Sequence, residues 1–120
     1  MNNNKSGRYS EFLARTLLFL KGYKILVCNF KTGNGTHAGE IDFIAQKGRT
    51  IVFVEVKKRK NIDTAAYSIS DNQKHRIING AKSFLKRNSR YENYDKRFDA
   101  ILVMFPFYIK HIQNAWEDFT

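Results

Sequence analysis

Apolar positions along the chain change period several times, and each change marks an element. Phe12, Leu13, Thr16, Leu17 and Leu20 recur at helical spacing, which predicts a helix from Gly7 or Arg8 to Lys21, ended by Gly22. The polar residues Met1 to Lys5 ahead of it read as a frayed end. Tyr23, Ile25, Val27 and Phe30 predict a first strand over 23–30. Residues 31–38 follow as a loop with Gly33 and Gly35, in which His37 reads as a solvent-exposed histidine. This loop lacks the Gly-Lys-Ser/Thr ending of a phosphate-binding loop and precedes a strand rather than a helix. Glu40 to Gln46 reads as a strand, 46–49 as a turn around Gly48, and Thr50 to Lys57 as the returning strand. Its centre, Ile51-Val52-Phe53-Val54, is an unbroken apolar run, as expected for a strand covered on both faces.

Asn61 to Ile69 is a connection, and a second helix opens at Ser70. Ile77, Ile78, Ala81, Phe84 and Leu85 give it an apolar stripe to about Lys86. After the polar stretch 88–96, Phe98 to Phe105 predicts a buried strand that Pro106 ends. Tyr108 to Ile112 predicts a short last strand, with 113–120 a tail from which Trp116 and Phe119 dock on the core.

Charged residues then interrupt the β pattern at one place. Side chains two apart share a strand face, so Glu55 and Lys57 point one way and Val54 and Val56 the other. Asp42, on the preceding strand, can meet Glu55 across the hairpin. Two acids and a lysine at the end of a buried strand are costly without compensation. A divalent cation on oxygen ligands would supply it; so would a salt bridge from Lys57 to either acid. Four cations, Lys57 to Lys60, then follow in a row, either a solvated run or a phosphate-binding edge. Glu11 lies in the first turn of its helix, where it favours the positive helix end. Ser70 and Gln73 have capping-box spacing, which gives Gln73 a role without chemistry. Asp99, two residues after Arg97, reads as a salt-bridge or turn residue.

Composition narrows the partners. With 120 residues, 42% of them hydrophobic and 14% aromatic, the chain suits one folded domain and not a disordered segment. The +10 charge, from 21 basic and 11 acidic residues, favours a polyanion: nucleic acid first, an anionic membrane surface second. No apolar run approaches the ~18 residues of a membrane span, and no signal-peptide core follows Met1. The single Cys28 permits no internal disulfide, so a reducing cytoplasm is expected.

An aspartate on one strand followed by Glu-x-Lys on the next resembles the core of the PD-(D/E)XK nuclease superfamily. The fuller strings, 39–45 (Gly-Glu-Ile-Asp-Phe-Ile-Ala) and 52–59 (Val-Phe-Val-Glu-Val-Lys-Lys-Arg), are similar to the YraN family of small bacterial nuclease-like proteins. So are Arg8-Tyr9-Ser10-Glu11, Gln73-Lys74 and Arg97-Phe98-Asp99, and the resemblance spans Gly7 to Trp116. Ser10 is a departure, since the family usually has glycine there. The resemblance implies an α/β, restriction-endonuclease-like α-β-β-β-α-β core, a mixed sheet with the hairpin at its centre and helices on its faces. It implies Mg²⁺ or Mn²⁺ on Asp42, Glu55 and the Val56 carbonyl. Lys57 would position a water or stabilise charge, and Glu11 would reach the metal site or its waters. Glu40 is a further acid on the Asp42 strand face. Lys58, Arg59, Gln73, Lys74 and Arg76 would contact nucleic acid, DNA rather than RNA. The implied activity is hydrolysis of DNA phosphodiester bonds, including structured or branched DNA; the alternative is a non-catalytic module binding nucleic acid or protein on the same fold. Many nucleases of this fold act as homodimers, but the sequence shows no dimer seam.

Overall fold

The computed structural model describes residues 2–33, 38–59, 69–104 and 108–116, with side chains from Gly7 onward. Helix α1 (Asn2–Leu20) precedes β1 (Lys24–Thr32), β2 (Gly39–Lys47) and β3 (Thr50–Arg59). Helix α2 (Asp71–Arg87), a 3₁₀ turn (Ser89–Tyr91), β4 (Asp95–Met104) and β5 (Tyr108–Trp116) complete the described chain. The five strands lie in sequence order in one sheet. Neighbours are antiparallel except β3 and β4, which are parallel and joined through α2. This is the α-β-β-β-α-β order and mixed sheet expected above, extended by a fifth strand.

Strict alternation along the central strands builds two cores. Ile44, Ile51, Phe53, Phe98 and Ala100 pack against Ile77, Ile78, Ala81 and Phe84 of α2. Their neighbours Phe43, Ala45, Val52, Val54, Ile101 and Val103 pack against Ala14 and Leu18 of α1. The apolar run at 51–54 is therefore covered on both faces, as a continuous hydrophobic strand requires.

The structure corrects the reading of α1. The helix starts at Asn2, well before Gly7, which puts Glu11 in mid-helix and not in the first turn; the first turns carry no apolar residues, so periodicity could not mark them. Its buried side is Ser10, Ala14 and Leu18, with Leu13 and Leu17 at the flanks. Small residues at 10 and 14 seat the helix on the sheet. Phe12 and Leu20, assigned above to the buried stripe, are 63% and 75% exposed. Strand ends also differ. Lys58 and Arg59 continue β3, because they pair with Val103 and Met104 of β4. The last strand runs to Trp116 instead of Ile112; Asn114 takes a left-handed φ of 52° where the register against β4 shifts, between Ala100↔Ile112 and Phe98↔Trp116, and the Trp116 ring stacks on Phe98 at 5.4 Å. Asn34–His37, Lys60 to Ser68, Phe105–Phe107 and the tail with Phe119 lie outside the described residues.

One close approach fixes α2 on β2. A Cβ on Gly39 would run into Thr32 Oγ1 and meet the backbone N and Cα of Gly80 at 2.9 and 3.0 Å. Backbone cannot rotate aside as a side chain can. Gly39→Ala is therefore expected to lift α2 from the sheet and to destabilise by about 1–3 kcal/mol, measurable by urea unfolding; an unchanged midpoint would refute the contact. Gly80→Ala, which meets the mobile tip of Ile41 at 3.0 Å, should cost less.

Candidate active site

The β2–β3 ladder runs from Lys47↔Thr50 to Phe43↔Val54 and stops there. Beyond that pair the strands part, and the alternation of β2 breaks: Ile41 and Phe43, two residues apart, pack into opposite cores. The break is matched on β1, where Asn29 takes a left-handed φ of 54° between Cys28, paired with Phe43, and Phe30, paired with Ile41. Asp42 sits at the fork. Its Oδ2 accepts the Val56 N–H at 2.8 Å, so a side chain replaces a backbone acceptor just past the end of the ladder.

Strand geometry delivers the remaining groups. Glu55 and Lys57 share the face of Phe53, which is the α2 face, and the Lys57 ammonium lies 3.1 Å from Glu55 Oε2. A cavity of about 230 Å³ opens between the forked strands and the start of α2. Glu40, Asp42, Glu55, Val56 and Lys57 form its sheet side, and Gln73, Arg76 and Ile77 its helix side. The capping box holds Gln73 there: Ser70 Oγ accepts the Gln73 N–H at 3.1 Å, and Gln73 Oε1 accepts the Ser70 N–H at 3.2 Å. The cap and the site are thus one feature. Lys58, Arg59 and Lys74 are not among the residues that line the cavity. Glu11 borders an adjoining hollow with Asn29 and Phe43.

The electrostatics of the acids are unrelieved. Burial, then the charge of Glu55 and a hydrogen bond shared with it, push the Asp42 carboxyl up to about 8, against the opposing pull of the Val56 N–H and Lys57. Burial and the charge of Asp42 also raise Glu11, which a hydrogen bond with the Asn29 side chain partly offsets. Asp42 is thus favoured in its protonated form, hydrogen-bonded to Glu55, and the space between the two carboxyls is where a hard cation would sit. Among the described residues no three His, Cys, Asp or Glu side chains converge on one point. Two carboxylates plus backbone and water suit Mg²⁺ or Mn²⁺, since Mg²⁺ keeps several waters. A cation must displace the Asp42 proton, so its affinity is expected to rise with pH, by up to tenfold per unit below about 8, and to level off above. Titrations across that range check this, and a flat profile would contradict it.

Asp99 is placed elsewhere. Fully buried, it accepts two N–H bonds from Arg97 at 2.8 and 2.9 Å and the Asn114 N–H at 3.0 Å, and lies 2.7 Å from His111 Nε2. These partners hold its carboxyl below the usual range although burial alone would raise it. Arg97 also donates to the Tyr23 hydroxyl at 2.6 Å. This is the salt-bridge role expected for Asp99, larger than the sequence suggested. Asn29 was missed altogether; its signal is an asparagine, tolerant of positive φ, inside a β-forming run.

Residues 10–103 match the model of the uncharacterised protein family UPF0102. A UPF0102 protein of Paramagnetospirillum magneticum is 40% identical over 93% of this chain and 87% of its own. One from Nitrobacter winogradskyi is 36% identical over 96% and 94%. Among solved structures, the Holliday junction resolvase Hjc of Archaeoglobus fulgidus aligns with a TM-score of 0.48 and 14% identity over 86% of this chain and 72% of that one. No helix among the described residues is long and apolar enough to cross a membrane. The family match over most of the chain, with relatives of this identity along nearly its whole length, makes the protein a member of UPF0102, the YraN family to which the sequence motifs pointed.

Proposed function

We propose that the protein is a divalent-metal-dependent nuclease that hydrolyses DNA phosphodiester bonds at the fork between β2 and β3. The observation that carries this reading is the placement of Asp42, Glu55 and Lys57 on one cavity at the fork, with Lys57 Nζ 3.1 Å from Glu55 Oε2. Among the described residues Lys57 pairs with Glu55 alone, which leaves Asp42 without a cationic side chain against it and open to a metal.

Asp42, Glu55 and the Val56 carbonyl would hold Mg²⁺ or Mn²⁺, which supplies charge relief on the scissile phosphate and a more acidic water. The chain's own groups do the rest. Lys57, fixed by Glu55, orients a water or steadies charge on the phosphoryl oxygens; beside two acids it is poorly placed to be a base. Arg76, across the cavity, faces where a phosphate would lie. Gln73 offers an amide to the same space, and Glu11, sensing Asp42, holds waters at the metal's outer side. Lys58, Arg59 and Lys74 extend the positive edge for flanking phosphates.

The test is a cleavage screen over single-stranded, duplex and branched DNA with Mn²⁺ or Mg²⁺, with wild type beside Lys57→Ala and Glu55→Gln. Cleavage by wild type and its loss in both variants is expected. No cleavage of any form by wild type, with DNA binding intact, would favour the non-catalytic binding module instead.

A further inference from the structure

On the outer side of α1, Arg8, Phe12, Arg15 and Phe19 follow one another at helical spacing, so arginine and phenylalanine alternate along one stripe for about 16 Å. Both rings are out of the core: Phe12 is 63% exposed and Phe19 73%. This stripe is one wall of a groove whose other wall is β1. Near the candidate active site the groove is a hollow of about 230 Å³ containing Arg8, Glu11, Phe12 and Arg15. Phe12 and Arg15 also line its continuation, about 660 Å³, which passes Phe19 and Lys24. The end beside Glu11 lies close enough to Asp42 for their charges to interact.

We propose that this α1–β1 groove is a track for single-stranded DNA, the strand entering or leaving the fork, with bases stacked on Phe12 and Phe19 and phosphates on Arg8, Arg15 and Lys24. The inference rests on the nuclease reading for its connection to the fork, but its binding chemistry stands apart from the metal. Exposed rings between cations are what sequence-independent single-strand binding uses, because every base has a stacking face and every nucleotide a phosphate. Of the residues that line one hollow or the other, three are cationic and Glu11 alone is acidic. A second copy of the chain fits the groove poorly. An isologous pairing would bring together two copies of the same patch, each with Arg8, Arg15 and Lys24, on a chain already carrying +10.

Anisotropy of a labelled oligothymidine strand in EDTA, where no metal-dependent cleavage can occur, tests this. Phe12→Ala with Phe19→Ala should weaken binding by tenfold or more, in keeping with the cost of losing one stacked base, and duplex binding should change little. Both rings are mostly exposed, so the variant should fold, which its circular dichroism and melting temperature verify. Arg8→Gln with Arg15→Gln should reduce the salt slope for the single strand by about 1.4, the value for two phosphates. Wild-type affinity in the phenylalanine variant, or no single-strand binding by wild type, would overturn the proposal. So would a wild-type dimer that Phe19→Ala splits into monomers, since a second copy would then occupy the groove. A protein that binds the strand through these residues yet never cleaves would instead sink the nuclease reading and leave the track standing.

Discussion

Asp42→Asn is expected to lower Mn²⁺ affinity by roughly a hundredfold or more, since loss of a ligand should cost at least what loss of its supporting hydrogen bonds costs, and to do so without harming the fold. The variant should even gain stability above pH 8. The native protein holds on Asp42 a proton that the unfolded chain releases near pH 4. Between that point and about 8 the native state binds more protons than the unfolded state, so stability falls as pH rises through this window. Asparagine resembles the protonated acid. It can accept the Val56 N–H and donate to Glu55, and it carries no charge to repel the glutamate at high pH. Melting curves at pH 6 and pH 9 should therefore be nearly superimposable for Asp42→Asn, whereas those of the metal-free wild type should diverge. Equal loss of stability at both pH values would mean that Asp42 is a structural anchor whose charge the fold requires.

The largest stability effect is expected at Asp99. Asp99→Ala would leave Arg97 partly buried without its carboxylate and strand the Asn114 N–H and His111 Nε2. Breaking one partner of a buried pair costs about 3–5 kcal/mol, a large share of the ~5–15 kcal/mol available to a small domain. Asp99→Asn, which can still accept from Asn114, should cost less. The pH dependence has the opposite sign to that of Asp42. With its folded value depressed, Asp99 contributes stability that is present above pH ~4 and is lost as pH falls through its folded value. Denaturant titrations at pH 7 measure the substitution, and a loss below about 1 kcal/mol would show that the network contributes no more than an exposed ion pair.

Much of this architecture is legible in the sequence because it depends on local period. The run at 51–54 dictates a strand buried on both faces, and spacing alone puts Glu55 with Lys57 on the face opposite Val54 and Val56. The Ser70–Gln73 cap is also local. What escaped involves partners distant in sequence or unusual backbone. Asn29 and Asn114 break strand geometry with left-handed conformations that a β-forming run conceals. Gly39 meets Gly80 across the sheet–helix boundary, a contact that no window of a few residues contains. Asp42 looks like a hairpin residue until the strands part and its carboxylate takes the Val56 N–H. On α1, Phe12 and Leu20 satisfied a helical period but lie outside the Ser10–Ala14–Leu18 seam that packs. A stripe can be periodic and still face outward when small residues make the closer fit.

We propose that Asp42 and Glu55 form a cation site that the Asp42 proton closes in the metal-free protein. Calorimetric titration of Mn²⁺ near pH 7, with DNA present, in two buffers of different ionisation enthalpy, tests it most directly. Saturable binding is expected, with a heat that differs between buffers because a proton leaves as the metal enters, and no such binding in Asp42→Asn or Glu55→Gln. Heats of dilution alone for wild type, or wild-type binding that survives in both variants, would contradict it.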